Sequence, residues 1–273
     1  MKTKKWITYT IYGILITVFF LYVRFPSDSA GRYIRSIVER GNPNIFLLVD
    51  SVKLCLPPGI KLSNIEVSFR DKPDLILMAN TLKLRPAITS LLSGKLSFLL
   101  YADAYEGNMR IDINFTNRFS TKGPVRITTG FNDINLGKCS CIKTAAGRHV
   151  DGRLSGSILY NGKWDGVING AGSANITLLD GNIQLLKNML GFDGLAFDKA
   201  EAELTLKNRT VKITGLDITG KQLSGSFAGN IFLDRDIMQS RLAIKGDLKI
   251  PALDKKVSTT LKGTVARPIP GFK

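Results

Sequence analysis

The sequence predicts a mainly β fold behind a single N-terminal transmembrane helix, and three observations predict it. Trp6 to Val23 runs eighteen residues without a charge. From Ile45 onward apolar and polar residues alternate with a period of two. Gly, Asn, Asp and Pro interrupt that alternation about every 8–12 residues, the spacing of many short antiparallel strands.

The uncharged run comes first. At about 1.5 Å per residue it makes a helix of about 27 Å, close to the hydrocarbon thickness of a bilayer. Trp6, Tyr9 and Tyr12 lie near one end and Tyr22 at the other, where amphipathic rings favour the interface. A cleaved signal peptide has an apolar core of about 7–15 residues before a small-residue cleavage site. This run is longer, bulky to its end, and closed by Arg24-Phe25-Pro26. Ser27-Asp28-Ser29-Ala30 is the alternative, a poor cleavage motif, so an uncleaved anchor is favoured. Lys2, Lys4 and Lys5 favour a cytoplasmic tail, against Arg24, Arg32, Arg35 and Arg40 just beyond the run. The expected arrangement is a bacterial inner-membrane protein, single-pass, with its C-terminal body in the periplasm. Residues 1–25 are then tail and anchor, 26–44 a helical neck, and 45–273 the β-rich domain.

The body's elements follow in order. Gly31 to Arg40 carries Tyr33, Ile34, Ile37 and Val38 at helical spacing and ends at Gly41-Asn42-Pro43. Val52, Leu54 and Leu56 then alternate up to the turn at Pro57-Pro58-Gly59. Ile60 and Leu62, then Ile65, Val67 and Phe69, continue the pattern after a small phase shift. Leu75 and Leu77, Leu82 and Leu84, Leu96 and Phe98, and Met109, Ile111 and Ile113 follow. Ala202, Leu204 and Leu206 precede Asn208-Arg209, a tight hairpin answered by Val211 and Ile213. Leu216 and Ile218, Leu223, Phe227, Ile231 and Leu233 extend the series, and Leu242, Ile244, Leu248 and Ile250 close it. Leu154-Ser-Gly-Ser-Ile158 and Leu223-Ser-Gly-Ser-Phe227 echo one another weakly.

One face of such a sheet is apolar, and each Leu or Ile left wet forfeits about 1.5–3 kcal/mol. Two short helices are expected to help cover it, Pro86 to Leu92 with about two turns and Asp180 to Leu190 with about three. They are too few for a dozen strands. The sheet therefore curls on itself as a sandwich or barrel, or forms an open groove that holds something apolar. The strand pattern leaves sandwich and lipid-holding groove open.

The net charge of +16 is spread singly through the body, with no arginine-rich block, zinc finger or helix-turn-helix pattern. Nucleic acid is not expected as a partner, while anionic headgroups are compatible with that charge. Cys55, Cys139 and Cys141 make an odd count, and Cys139 and Cys141 read as ordinary thiols or a local bridge. With His149 as the one histidine, four metal ligands are lacking, so no metal site is expected. His149 and Asp151 sit in a polar turn, and no nucleophile elbow, phosphate loop or dinucleotide fingerprint accompanies them. Asp234 and Asp236 flank Arg235 and read as a solvated hairpin tip. No catalytic, cofactor-binding or metal-binding residue is assigned.

Gly59-Ile-Lys-Leu-Ser-Asn-Ile-Glu-Val67 resembles a strand opening of the AsmA-like superfamily. Leu82-Lys-Leu-Arg-Pro86 followed by Leu91-Leu-Ser-Gly-Lys-Leu96 resembles its strand, short helix and return. Gly181, Gly191-Phe192, Leu195-Ala-Phe197, Leu216-Asp-Ile-Thr-Gly220 and Gly225-Ser-Phe-Ala-Gly229 are similar to its C-terminal module. Leu261 to Pro268 resembles the closing strand. With one N-terminal anchor and this length, the chain most resembles the protein N family of the type II secretion system. The resemblance implies a non-enzymatic periplasmic accessory of that apparatus with other secretion-system proteins as partners. AsmA-like relatives imply an elongated, curled β-sheet whose apolar groove takes lipid acyl chains. About 14 strands at roughly 4.8 Å give some 65 Å of sheet, too short to bridge two membranes.

Overall fold

Fourteen antiparallel strands follow one another across a single sheet in chain order, β1 to β14. The computed structural model describes residues 2–70, 72–121, 123–140, 142, 149–189, 192–250 and 255–272. Two helices precede the sheet, α1 (Lys2–Val23) and α2 (Ser27–Gly41). The strands are β1 (Ile45–Cys55), β2 (Gly59–Phe69), β3 (Lys72–Pro86), β4 (Lys95–Ala104), β5 (Gly107–Arg118), β6 (Pro124–Asn135) and β7 (Val150–Lys163). They continue as β8 (Ala171–Met189), β9 (Phe192–Lys207), β10 (Thr210–Thr219), β11 (Ser224–Phe232), β12 (Arg241–Ile250), β13 (Lys255–Gly263) and β14 (Pro268–Phe272). The short α3 (Ile88–Leu92) links β3 to β4.

The alternation read from the sequence is the register of this meander. Its phase shift between Leu62 and Ile65 is a local break: Asn64 takes φ 47° and its Nδ2 donates to Asp50 Oδ2 at 2.8 Å. Leu62 and Ile65 are thereby both buried. Asn208 and Arg209 form the expected hairpin turn with φ 49° and 61°, the double positive φ of a type I′ turn. Tyr105 and Glu106 do the same between β4 and β5, with φ 50° and 65°.

One expectation is corrected and one of two open alternatives falls. Asp180 to Met189 is not a helix but the second half of β8: Asn182 and Ile183 pair with Asp151 and Val150 on one side and with Ala196 and Leu195 on the other. Ladder bonds to two neighbours outweigh a helical stripe of Ile183, Leu186 and Met189; Leu190 lies outside the described residues. The sandwich is also overturned. Among the described residues all strands belong to one open sheet, because each pairs only with its neighbours in sequence. The accessible surface of 18042 Å² exceeds the roughly 11,700 Å² of a compact monomer of this mass, so the sheet does not fold over itself.

What covers the sheet is local. α2 begins at Ser27 rather than Gly31 and packs Ala30, Ile34 and Val38 onto a cluster of Leu47, Val52, Leu62 and Ile65, with Phe25 beside it. Tyr33 and Ile37 face solvent. A second cluster gathers Phe131, Ile134 and Leu136, with Ile142, Leu154 and Leu178 against it. Glycines let aromatic rings lie flat on the sheet: a Cβ on Gly181 would stand 2.1 Å from Phe197 Cζ, its cross-strand partner. Phe131 over Gly156 and Phe227 over Gly246 repeat the arrangement.

Each edge of the sheet carries a local block. Thr264 and Arg267 exchange backbone hydrogen bonds of 3.2 and 3.1 Å, so by antiparallel alternation Pro268 and Pro270 turn their backbone away from β13. Having no N–H, they leave the outer edge short of donors. At the other edge Ser27 Oγ accepts from Val52 N at 3.2 Å.

Among the described residues no helix is long and apolar enough to cross a membrane. The side chains of Ile7, Thr8, Ile11, Ile14, Leu15, Val18 and Leu21, on which the expected anchor rests, lie outside the described residues.

Candidate functional site

The candidate site is the apolar face of the sheet, assembled strand by strand from the register. One row runs Leu54, Ile60, Leu84, Leu100, Ile111, Thr129 and Ile158 from β1 to β7. It continues through Ala174, Leu204, Ile213, Gly229, Ile244, Leu261 and Pro270 to β14. The adjacent row begins Val52, Leu62, Leu82, Ala102, Met109, Phe131. No charged residue enters the first row over fourteen strands. This continuity follows from the fixed period of two: on strands such as β3, β5 and β9 a slip of one residue would put Lys83 or Arg85, Arg110 or Asp112, and Glu203 or Thr205 into it.

Most of this face is half-buried rather than buried, because neighbours shield each side chain laterally and little lies above. Between β7 and β10 a shallow depression of about 140 Å³ is lined by Ile158, Tyr160, Ala174, Leu204, Leu206 and Val211. Small Ala174 and Gly172 set among larger neighbours make the hollow. A larger depression of about 690 Å³ lies near Lys163, Asn169 and Asn208, at the ends of β7, β8 and β9 rather than along the apolar row.

The opposite face is polar and basic at its N-terminal end. Lys53, Lys61, Lys83, Tyr101 and Arg110 stand directly opposite one another on β1 to β5. The Arg85 and Arg110 guanidinium groups approach the Tyr101 ring centroid to 5.9 and 5.5 Å, close enough for cation–π attraction.

Residues weighed for chemistry fall apart in space. His149 Nε2 lies 3.0 Å from Asp151 Oδ1, both half-exposed. Among the described residues no group of three His, Cys, Asp or Glu side chains could hold a metal ion. Cys139 is disulfide-bonded and Cys55 is a free thiol; Cys141 lies outside the described residues. Asp234 and Asp236 are loop-building groups: Asp234 Oδ1 accepts from Asp236 N, and Asp236 Oδ1 from Met238 N. Hydrogen bonds from Lys138 and then Asn135 hold the Glu106 carboxyl below its ordinary value, while Asp133 raises Arg153.

Sequence reasoning saw the alternation but missed the partnership between α2 and the first strands. Its signal was present in Ala30, Ile34 and Val38 at i, i+4 and i+8. Fold and site together define a class: an open single-layer antiparallel sheet with one continuous apolar face. Comparison with family models, curated proteins and solved structures returns no match.

Proposed function

We propose that the chain is a non-enzymatic lipid-handling module of the bacterial cell envelope, holding acyl chains along the apolar face of its curled sheet. The observation that carries this reading is the uncharged row from Leu54 to Pro270, which no described α-helix covers beyond the first strands. An apolar strip that wide is unfavourable in water unless something apolar lies on it. α1 is the inner-membrane anchor in this reading, and the body lies in the periplasm. Trp6, Tyr9, Tyr12, Phe19, Phe20 and Tyr22 stand exposed on α1, as expected of a helix whose surroundings are lipid.

Photo-crosslinking in cells tests it. A benzophenone amino acid at Ala174, on the apolar face, is expected to capture phospholipid; the same group at Asn175, on the polar face, is not. Equal capture at both positions, or none at either, sinks the reading.

A second reading is the accessory role in a type II secretion system implied by the resemblance. The strand, short helix and return of β3, α3 and β4 favour it, since they occupy Leu82–Pro86 and Leu91–Leu96. Affinity purification of the full chain from membranes is expected to recover secretion-system proteins under that reading, and recovery of none counts against it.

A further inference from the structure

We propose that one rim of the sheet, the one carrying the β1–β2, β3–β4, β5–β6, β7–β8, β9–β10, β11–β12 and β13–β14 connections, rests on anionic lipid headgroups with its apolar loop tips in the membrane interface. The inference rests on reading α1 as the anchor, and it fixes which end of the strands meets the bilayer.

The path of α2 supplies the first argument. Ser27 sits at Val52 and the Arg35 guanidinium lies over the Phe46 ring, so α2 runs antiparallel to β1. Its start, and the end of α1 just before it, therefore lie at the end of β1 where the chain turns into β2. Phe25, between the helices, is pinned against the first core cluster. An anchor leaving there brings this rim to the lipid surface.

The rim also exposes apolar side chains. Leu56 is 70% exposed, Leu92 85% and Phe119 69%, and Ile88, Ile237 and Val265 are exposed as well. These tips are neighbours: Phe119 N donates to Gly94 O, Arg85 Nη2 to Leu56 O, and Val265 N to Ser240 O. The opposite rim differs. In its described connections Leu136 and Leu223 are buried, Tyr105 is half-buried, and no large apolar side chain is exposed.

Charge supplies the third argument. At the opposite rim Lys138 pairs with Glu106 and Arg153 with Asp133, which leaves Arg70 and Lys221 as the exposed cations of its described connections with no ion pair to a described residue. At the loop rim Lys95, Arg118, Arg209 and Arg267 are exposed, and no described residue forms an ion pair with them. Exposed apolar tips set among unpaired cations fit an interface of anionic headgroups over acyl chains.

The test uses the full chain in nanodiscs of phosphatidylcholine with one third phosphatidylglycerol. In a W6F/W164F background, tryptophan placed by Leu92→Trp or Phe119→Trp reports on brominated acyl chains, with Lys221→Trp as the reference at the opposite rim. Quenching several-fold greater at 92 and 119 than at 221 is expected; equal quenching at all three overturns the proposal. Hydrogen exchange on the unsubstituted chain removes dependence on the variants. Amides of 88–94 are expected to slow at least threefold in anionic over neutral nanodiscs, with 220–223 unchanged. No slowing, or slowing only when a protein fraction is added, overturns it. Release of the chain by alkaline carbonate removes the anchor reading and this proposal with it, whereas retention with equal quenching removes this proposal alone.

Discussion

The two ends of the apolar face are built from the same kinds of side chain and differ in what lies on them. At β1 to β3, α2 sets Ala30, Ile34 and Val38 onto Leu47, Val52, Leu62 and Ile65, and Val52 is left 1% exposed. Over β7 to β10, beyond the second cluster at Leu154 and Leu178, no described α-helix takes that place, and Ile158 remains 39% exposed although Ile213 in the same row is buried. Fifteen residues of amphipathic helix roof about three strands of a sheet that has fourteen. Roofing the rest from within would need several more such helices, and the described residues supply none. Under the proposed function, the bare portion is where acyl chains lie.

The largest effect expected from this contrast is at Val52. Val52→Asp buries an unpaired carboxylate and should cost about 4 kcal/mol or more, read as a fall in the urea midpoint. Ile158→Asp, the same change in the open stretch, should cost about 1 kcal/mol or less yet abolish lipid capture at Ala174. Equal destabilisation at the two sites would mean that the middle of the sheet is covered after all.

The link between α2 and the edge comes next. Ser27→Ala leaves the amide of Val52 without its acceptor and should destabilise by about 1–2 kcal/mol. Faster hydrogen exchange at Val52, with the β7–β10 amides unchanged, is the local readout. Uniform acceleration would show that the covered and open ends unfold as one unit.

Pro270→Val should leave monomer stability within about 0.5 kcal/mol, the usual range for surface changes. It restores a donor on the outer edge of β14, so sedimentation should show concentration-dependent association. A variant that stays monomeric would assign the block to something other than the missing N–H.

The smallest effect is electrostatic. Glu106 titrates below its ordinary value of 4.5 because Lys138 and then Asn135 hydrogen-bond its carboxylate. A depressed folded value means the contribution is present above the ordinary value and lost as pH falls through the lowered one. Glu106→Gln should lower the neutral-pH melt slightly and flatten the acid-side loss, so that variant and parent converge at low pH.

Much of this was legible in the sequence because strand faces are a local property. They need no partner to be recognised: Leu204 and Leu206, or Ile111 and Ile113, declare their face by parity alone. The Asn208-Arg209 turn was readable for the same reason, since its chemistry is local. What was illegible depends on who stands opposite. Gly181 reads as a break until Phe197 is known to face it, and Ile183 looks helical until Val150 and Leu195 pair with it. Whether the sheet closes on itself is likewise a property of register summed over every strand. The apolar face was therefore foreseeable as a set of residues, and its open geometry was not.

Strand order equal to chain order also bears on how the molecule is made. In β1 to β14 each strand's partner is the one just completed or the one about to follow. No strand waits for a distant segment, so the loop-closure entropy that slows most all-β proteins is small at each step. A chain emerging from its N-terminal end can add hairpins to a template that already exists, starting from the roofed β1–β3 cluster. The growing edge is exposed throughout that process, and the two prolines of β14 arrive last, where they end it.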